Sequence, residues 1–207
     1  MTGSSSPAEL SAVLGVTIDP ELLTLALTHR SFAYENGGIA HNERLEFLGD
    51  SILGQAVTVK LYRDNPELDE GDLAKRRASL VSFVALAEIA RLIGLGAYIR
   101  LGKGEEQTGG REKPSILADT VEAIIGAAYL DLGGDEATAL VLRLVAQLGR
   151  GAPDYRIEDS GPDHSKRFHA SVCLDDEIIA GGTGSSKKQA EMAAALEAWT
   201  ILQAAAK

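Results

Sequence analysis

Residues 41–51 read HNERLEFLGDS, and this acidic stretch decides both the fold and the chemistry that the sequence predicts. At 100° per residue on an α-helix, Glu43, Glu46 and Asp50 fall within an arc of about 60°. The leucines of the same stretch project from the opposite side. The stretch therefore predicts an amphipathic helix that buries one face in a core and concentrates negative charge on the other.

The charge on this face favours a metal site. Carboxylates at i,i+3 and i,i+4 spacing destabilise a helix by roughly 0.2–0.5 kcal/mol per pair, whereas a hard cation such as Mg²⁺ prefers carboxylate oxygens as ligands. The alternative is a solvated acidic helix face, which is the usual explanation of an isolated acidic triplet. Gly49 argues against it, because glycine inside a helix costs up to about 1 kcal/mol relative to alanine and indicates a packing requirement.

A second acidic pair lies in residues 115–123, which read SILADTVEA. Asp119 and Glu122 are three residues apart and share one helical face, while Val121 and Ile124 face away from them. Gly126 would permit close approach of a neighbouring helix. On its own, such a pair is more often structural than catalytic.

The hydrophobic pattern predicts a mostly α-helical chain of two parts. Apolar residues recur at helical spacing in the first part, where we predict helices near residues 8–14, 20–33, 42–64, 70–93, 115–130 and 134–149. The second part is predicted to be a small α+β region with strands at 155–157, 167–174 and 177–182 and a helix at 187–205. The predicted boundaries are a disordered N-terminus at 1–7, a helical domain at 8–148, a linker at 149–154 and the α+β region at 155–207.

Composition narrows the functional class. The net charge is −10, so a nucleic-acid partner would require locally concentrated basic groups or metal ions that offset the acids. The single cysteine, Cys173, excludes an intrachain disulfide and is predicted to be a small core residue of a strand. No signal peptide or membrane span is visible, so we expect a cytoplasmic protein without a membrane partner.

The quoted motifs resemble the bacterial ribonuclease III family, and most closely its actinobacterial members. Residues 42–51 match the family signature almost letter for letter. Residues 27–31 (LTHRS), 70–75 (EGDLAK) and 113–123 (KPSILADTVEA) match further family motifs in the same order and spacing. The resemblance covers residues 8–148 and implies an all-helical endonuclease domain that forms a homodimer and cleaves double-stranded RNA.

The resemblance also implies a reaction and the residues that perform it. The expected products carry 5′-phosphate and 3′-hydroxyl ends, the expected cofactor is Mg²⁺ or, in its place, Mn²⁺, and the expected substrates are ribosomal and other structured RNA precursors. By the resemblance, the metal-binding acids are Glu46, Asp50, Asp119 and Glu122. Of these, Asp50 and Glu122 are expected to be catalytic, and Glu43 and Glu70 are accessory acids.

The C-terminal region resembles a double-stranded-RNA-binding domain. The family comparison implies RNA contacts at Pro162, His164, Lys166, Lys187 and Lys188. Such domains normally begin with an amphipathic helix, and no helix fits between residues 149 and 154. We therefore expect a shortened domain that lacks its first helix. Its last helix then either exposes apolar surface or is covered by another element, for which the predicted helix at Asp135–Leu148 is a candidate.

Two other functions remain open from the residues alone. The first is a non-cleaving homologue that binds duplex RNA in a regulatory or structural role, which loss of one of the four metal-binding acids would favour; none is lost. The second is a helical metal-dependent phosphohydrolase acting on small nucleotides, which a His-Asp pair among the ligands would favour. The nearest histidines, His29 and His41, lack such an aspartate neighbour.

Overall fold

The computed structural model describes residues 7–148, 154–162, 166–174 and 177–205. The chain divides after Leu148 into two compact units. The predicted disordered N-terminus, apart from Pro7 at the start of the first helix, and most of the predicted linker lie outside the described residues, so the domain boundaries stay predictions.

The first unit is helical, as predicted. Its helices are α1 (Pro7–Leu14), α2 (Pro20–Ala26), α3 (Arg30–Glu35), α4 (Glu43–Asp64), α5 (Glu70–Leu80), α6 (Phe83–Leu92), α7 (Lys103–Gln107), α8 (Pro114–Leu132) and α9 (Gly134–Ala146). Short 3₁₀ turns lie at Leu95–Tyr98 and Gly110–Glu112. Helix α8 is the centre of the unit, since α2, α4, α6 and α9 all pack against it.

Helix α8 is central because it is apolar on nearly every side. Leu117, Ile124 and Ile125 are almost completely buried, and they join one core with Leu53 of α4 and Ile89 of α6. A helix that is hydrophobic around most of its circumference is stable only when neighbouring elements cover it. The few polar side chains on α8 are therefore candidates for functional residues.

Helices α4 and α8 approach so closely at one point that only glycine fits there. A Cβ atom on Gly49 would lie 1.8 Å from the carbonyl oxygen of Glu122, and one on Gly126 would lie 2.2 Å from that of Leu45. No real Cβ contact is that short. The two glycines thus explain why a residue that weakens a helix occurs in the middle of both.

The prediction of one helix over residues 20–33 is wrong. The chain leaves α2 after Ala26 because Thr28 forms an isolated parallel bridge with Arg100, and the His29 backbone N–H donates to the Arg100 carbonyl at 3.1 Å. The His29 side chain then caps α3 by accepting from the Ser31 backbone N–H. This long-range pairing leaves no trace in local periodicity.

The prediction of one helix over residues 70–93 is also wrong, because it is interrupted at Val81 and Ser82. The Ser82 hydroxyl accepts from the Ala85 backbone N–H and caps α6, a familiar way to start a new helix. The role of Arg76, which the sequence left open, is partly structural. Its guanidinium donates to the Asn65 side chain at 3.0 Å, which ties α5 to the end of α4.

The second unit contains, among its described residues, three strands and one helix. Strands β1 (Asp154–Ser160), β2 (Arg167–Leu174) and β3 (Glu177–Gly184) form an antiparallel sheet in the order β1-β2-β3, and α10 (Lys187–Ala205) follows. The predicted strands and helix are confirmed. Cys173 is buried in β2, also as predicted.

The core of the second unit is small. Ala190, Ala194 and Ala198 lie on one face of α10 and pack against the sheet. A Cβ atom on Gly182 of β3 would lie 2.1 Å from the Ala194 backbone nitrogen, so the helix rests directly on the strand. On the same helix Met192 and Leu196 are 64% and 68% exposed, which agrees with the expected apolar surface.

No helix in the described part of the chain is long and apolar enough to cross a membrane.

We expect Gly126→Ala to destabilise the protein by about 3 kcal/mol or more, because the added methyl group would force α4 and α8 apart. Gly54→Ala on α4 is the matched control. Its Cβ meets nothing within 4 Å, so the change should stabilise the helix by about 0.5–1 kcal/mol. Denaturant unfolding measures both effects, and equal stability of the two variants would contradict the assigned contact.

Candidate metal centre and active site

The close crossing of α4 and α8 brings three acids together. Glu46 of α4 and Asp119 and Glu122 of α8 each offer a carboxylate oxygen, and these oxygens all lie within 4.8 Å of one another. The three side chains are half-buried. Oxygen donors at this spacing suit a hard divalent cation, so these residues fit the metal that the sequence predicts.

The electrostatics of the three acids point to the same conclusion. Burial, followed by the nearby charges of Asp50, Asp119 and Glu46, raises the pKa of Glu122 to about 7. Burial also raises the pKa values of Glu46 and Asp119 above their usual range. Partly desolvated like charges disfavour ionisation, and a bound cation reverses that penalty.

Glu43 lies at the edge of the cluster and is paired with a cation. Arg30 Nη1 lies 3.5 Å from Glu43 Oε1, and His41 Nδ1 lies 3.8 Å from Glu43 Oε2. The Arg30 guanidinium counteracts the raised pKa values of both Glu46 and Asp119. The predicted accessory acid therefore holds a positive charge next to the predicted metal-binding acids.

The structure separates two predicted acids from the cluster of three. Asp50 is exposed one turn beyond Glu46, where it lines a groove together with Arg77 of α5, although its charge acts on Glu122. Glu70 begins α5, is exposed, and does not line the cavity at the cluster. Glu46, Asp119 and Glu122 thus meet, whereas Asp50 is a neighbour and Glu70 lies elsewhere on the surface.

A cavity of about 580 Å³ opens beside the cluster and includes residues that were not predicted as site residues. Its lining combines acids with hydrogen-bond donors and consists of His29, Arg30, Asn42, Glu43, Glu46, Glu105, Lys113, Ser115, Ile116 and Asp119. The signal for the additional residues was present in the sequence, since His29, Arg30, Asn42, Lys113 and Ser115 all lie within the quoted motifs.

The predicted RNA-binding residues of the second unit have different surroundings. Lys187 and Lys188 are exposed in the first turn of α10, which Ser186 caps by accepting from the Gln189 backbone N–H. Pro162 is exposed after β1, and Lys166 pairs with Asp159 at 2.8 Å. His164 lies outside the described residues.

Helical packing around a half-buried carboxylate cluster, joined to a small module with lysines at a helix N-terminus, is the arrangement expected of a metal-dependent nuclease. Comparison with known families agrees. Residues 19–148 match the model described as "Ribonuclease-III-like", and residues 140–202 match "Double-stranded RNA binding motif". The chain belongs to the ribonuclease III family, and it is a double-strand-specific endoribonuclease.

Similar proteins support this assignment over most of the chain. "Ribonuclease 3" of Leifsonia xyli is 67% identical, with 91% of this chain and 90% of that protein covered. The Streptomyces coelicolor protein of the same name is 50% identical, with 99% and 83% covered. The solved nuclease domain of ribonuclease III from Campylobacter jejuni is 42% identical with a TM-score of 0.65, and the match covers 69% of this chain and 97% of that domain.

These matches also bear on the predicted shortening of the second unit. The match to the Streptomyces coelicolor protein runs over 229 positions, more than the 207 residues of this chain. The relative therefore carries residues inside the aligned region that this chain lacks. The RNA-binding-motif match begins at residue 140, within α9, although β1 begins only at Asp154.

The raised pKa of Glu122 predicts a pH-dependent stability in EDTA. Because the folded-state pKa lies above the unfolded value of 4.5, the folded protein binds the proton more tightly between pH 4.5 and about 7. The stability contributed by protonated Glu122 is therefore present at low pH and is lost as the pH rises through about 7. We expect Glu122→Gln to raise the melting temperature at pH 8 and to flatten its dependence on pH.

Glu67→Gln is the control for this experiment. Glu67 is exposed in the α4–α5 connection, away from the cluster, so its replacement should leave the pH dependence of the wild-type protein unchanged. Thermal melts from pH 5 to pH 8 measure the effect. An identical pH dependence for wild type and Glu122→Gln would show that burial and the neighbouring carboxylates do not raise the pKa of Glu122.

Proposed function

We propose that this protein hydrolyses phosphodiester bonds of duplex RNA with Mg²⁺ held by Glu46, Asp119 and Glu122. The meeting of these three carboxylates across the α4–α8 crossing is the observation that carries the proposal. Mn²⁺ satisfies the same oxygen ligands and can take the place of Mg²⁺. We propose ribosomal and other structured RNA precursors as the natural substrates and the cytoplasm as their location.

Bound at this site, a divalent cation would lower the barrier to attack by water and stabilise the charge on the leaving oxygen. The protein's own residues supply the positioning. Glu122, half-buried beneath its acidic neighbours, is fixed by the helix crossing, while the exposed Asp50 accepts a hydrogen bond from the attacking water and orients it. Breakage of the bond to the 3′ oxygen leaves 5′-phosphate and 3′-hydroxyl ends.

We propose that the first unit forms a homodimer. One nuclease-domain structure of ribonuclease III from Campylobacter jejuni shows structural flexibility in a region involved in dimer formation, and that domain is 42% identical to this chain. Here Phe47 is 80% exposed on α4, immediately beside the metal-binding Glu46. A large exposed aromatic side chain is typical of an interaction surface, and a second copy would cover it. Dimerisation would bring two sites to one duplex, one for each strand.

The non-cleaving alternative is not favoured. It predicts loss of at least one acid among Glu46, Asp50, Asp119 and Glu122, and all four are present. A binding protein also has no need for three acids to share a half-buried position, where their mutual repulsion opposes folding.

Glu122→Ala should abolish Mg²⁺-dependent cleavage of a long RNA duplex at low salt, since the variant loses a proposed metal ligand. Loss of such a group should reduce the rate by at least about 100-fold, the usual scale for a catalytic electrostatic contact. Gel analysis of the products, with EDTA as a parallel reaction, measures the change. Glu67→Ala, which removes an exposed acid, should cleave as the wild type does. Duplex binding by the wild type without metal-dependent cleavage would instead support the regulatory function.

Lys187 and Lys188 should contribute affinity rather than chemistry. At the N-terminus of α10 they oppose the helix dipole, which a phosphate partner would offset. We expect the double substitution to alanine to weaken duplex binding and to reduce the slope of log affinity against log salt by about two. Lys60→Ala is the control, because Lys60 pairs with Asp64 on α4. An unchanged salt slope in the double variant would remove these lysines from the RNA interface.

A further inference from the structure

Asn42 presents a buried hydrogen-bond donor that the mechanism above does not use. The residue precedes α4 and is only 2% exposed, and its Nδ2 atom has no hydrogen-bond partner among the described residues. Its backbone is fully engaged, because its N–H donates to the Thr28 carbonyl and its own carbonyl accepts from Leu45 and Glu46. Its side chain, unlike most N-cap side chains, makes no capping bond.

Such an amide group requires a partner. A buried donor without one costs about 1–3 kcal/mol, so native structures rarely leave it unsatisfied. Asn42 lines the cavity beside Glu46 and Asp119. Its Nδ2 atom is itself covered, so the side chain must turn toward the cavity before a ligand there can accept a hydrogen bond from it. The Nδ2 group can only donate, which points to an oxygen acceptor.

His29 supplies a second donor on the same wall. Its Nδ1 atom accepts from the Ser31 backbone N–H at 3.2 Å and contacts the Ser31 hydroxyl at 2.8 Å. The Ser31 hydroxyl in turn accepts from the Gly102 backbone N–H at 2.9 Å, which leaves its own proton for His29. The imidazole therefore carries its proton on Nε2, and burial lowers its pKa and keeps the ring neutral.

Several charged side chains that line the cavity form pairs of opposite charge. Arg30 pairs with Glu43, and Lys113 pairs with Glu105, so these four side chains contribute no net charge. Glu46 and Asp119, both proposed metal ligands, are the other acids of the lining. With a divalent cation on them, the lining is close to neutral and rich in donors. That environment suits a singly charged group with several acceptor oxygens.

We propose that the wall formed by His29, Arg30 and Asn42 binds the RNA backbone phosphate that neighbours the phosphate being cleaved. The inference rests on the proposed function, because the scissile phosphate must lie at Glu46, Asp119 and Glu122. The cavity volume of about 580 Å³ exceeds the roughly 30 Å³ that one water molecule occupies in the liquid. A backbone segment extending from the metal site therefore has space beside the wall, and a phosphate there would accept a hydrogen bond from the Asn42 amide once that side chain has turned toward the cavity.

A double-mutant cycle that combines a substitution in the protein with a modification of the RNA tests this contact. Asn42→Leu removes the donor while keeping the number and branching of the side-chain heavy atoms, and a methylphosphonate replaces one charged oxygen at a single phosphate on either side of the cleaved bond. We expect the methylphosphonate at one flanking position to lower kcat/KM of the wild type by about 10–100-fold, the scale of a hydrogen bond to a charged group. Asn42→Leu should lose a similar factor on unmodified RNA, and the two losses should not multiply.

Further variants distinguish loss of this contact from a non-specific loss of folding or activity. Thr120→Val replaces another buried polar side chain, whose hydroxyl donates to the Ile116 carbonyl within α8, and the methylphosphonate should slow it as much as it slows the wild type. Arg30→Gln, which changes an exposed side chain, should repeat the non-additivity if Asn42→Leu does not fold. For a folded Asn42→Leu, multiplying losses at every flanking phosphate would overturn the proposal.

Two further outcomes have distinct meanings. If a 2′-deoxy substitution, and not a methylphosphonate, is non-additive with Asn42→Leu, the partner of the amide is a ribose hydroxyl and the phosphate assignment is wrong. If the wild type does not cut the unmodified duplex, the proposed function fails rather than the proposed contact.

Discussion

The contact between Gly49 and Gly126 is the constraint on which the active site depends. Without side chains at these two positions, the backbones of α4 and α8 approach closely enough that a Cβ on Gly49 would overlap the Glu122 carbonyl oxygen. Glu46 is one turn from Gly49, and Glu122 is one turn from Gly126, so the same crossing fixes the separation of their carboxylates. A larger residue at either position would increase that separation before it altered any charged group.

The geometry that brings the carboxylates together also lowers the stability of the fold. Half-burying three carboxylates within 4.8 Å of one another opposes folding, as the raised pKa of Glu122 indicates. The opposing contribution comes from the other faces of α8, where Leu117, Ile124 and Ile125 are almost completely buried. A helix this well covered can hold a strained acidic face in place, and a bound cation would convert the repulsion into affinity for metal.

The sequence predicted the elements better than their contacts. Periodicity placed α4 and α8 and assigned Glu46, Asp119 and Glu122 to polar faces, but only the family resemblance indicated that the two faces meet. The break after α2 was missed because it depends on Thr28 pairing with Arg100, 72 residues later. Asn42 lies within a quoted motif, but its unsatisfied amide was missed for a related reason. Its significance lies in burial without a partner, and burial is set by tertiary packing rather than by the local pattern.

The distribution of cations explains how an acidic chain can bind an acidic polymer. Arg30 and Lys113 lie at the catalytic cavity, but Glu43 and Glu105 offset their charges, so they add donor geometry and little long-range attraction. Lys187 and Lys188 are exposed on the second unit. At this cavity, metal ions on the acids would then supply much of the attraction to phosphate. On this view, metal binding and RNA binding are coupled steps, because each supplies charge that the other requires.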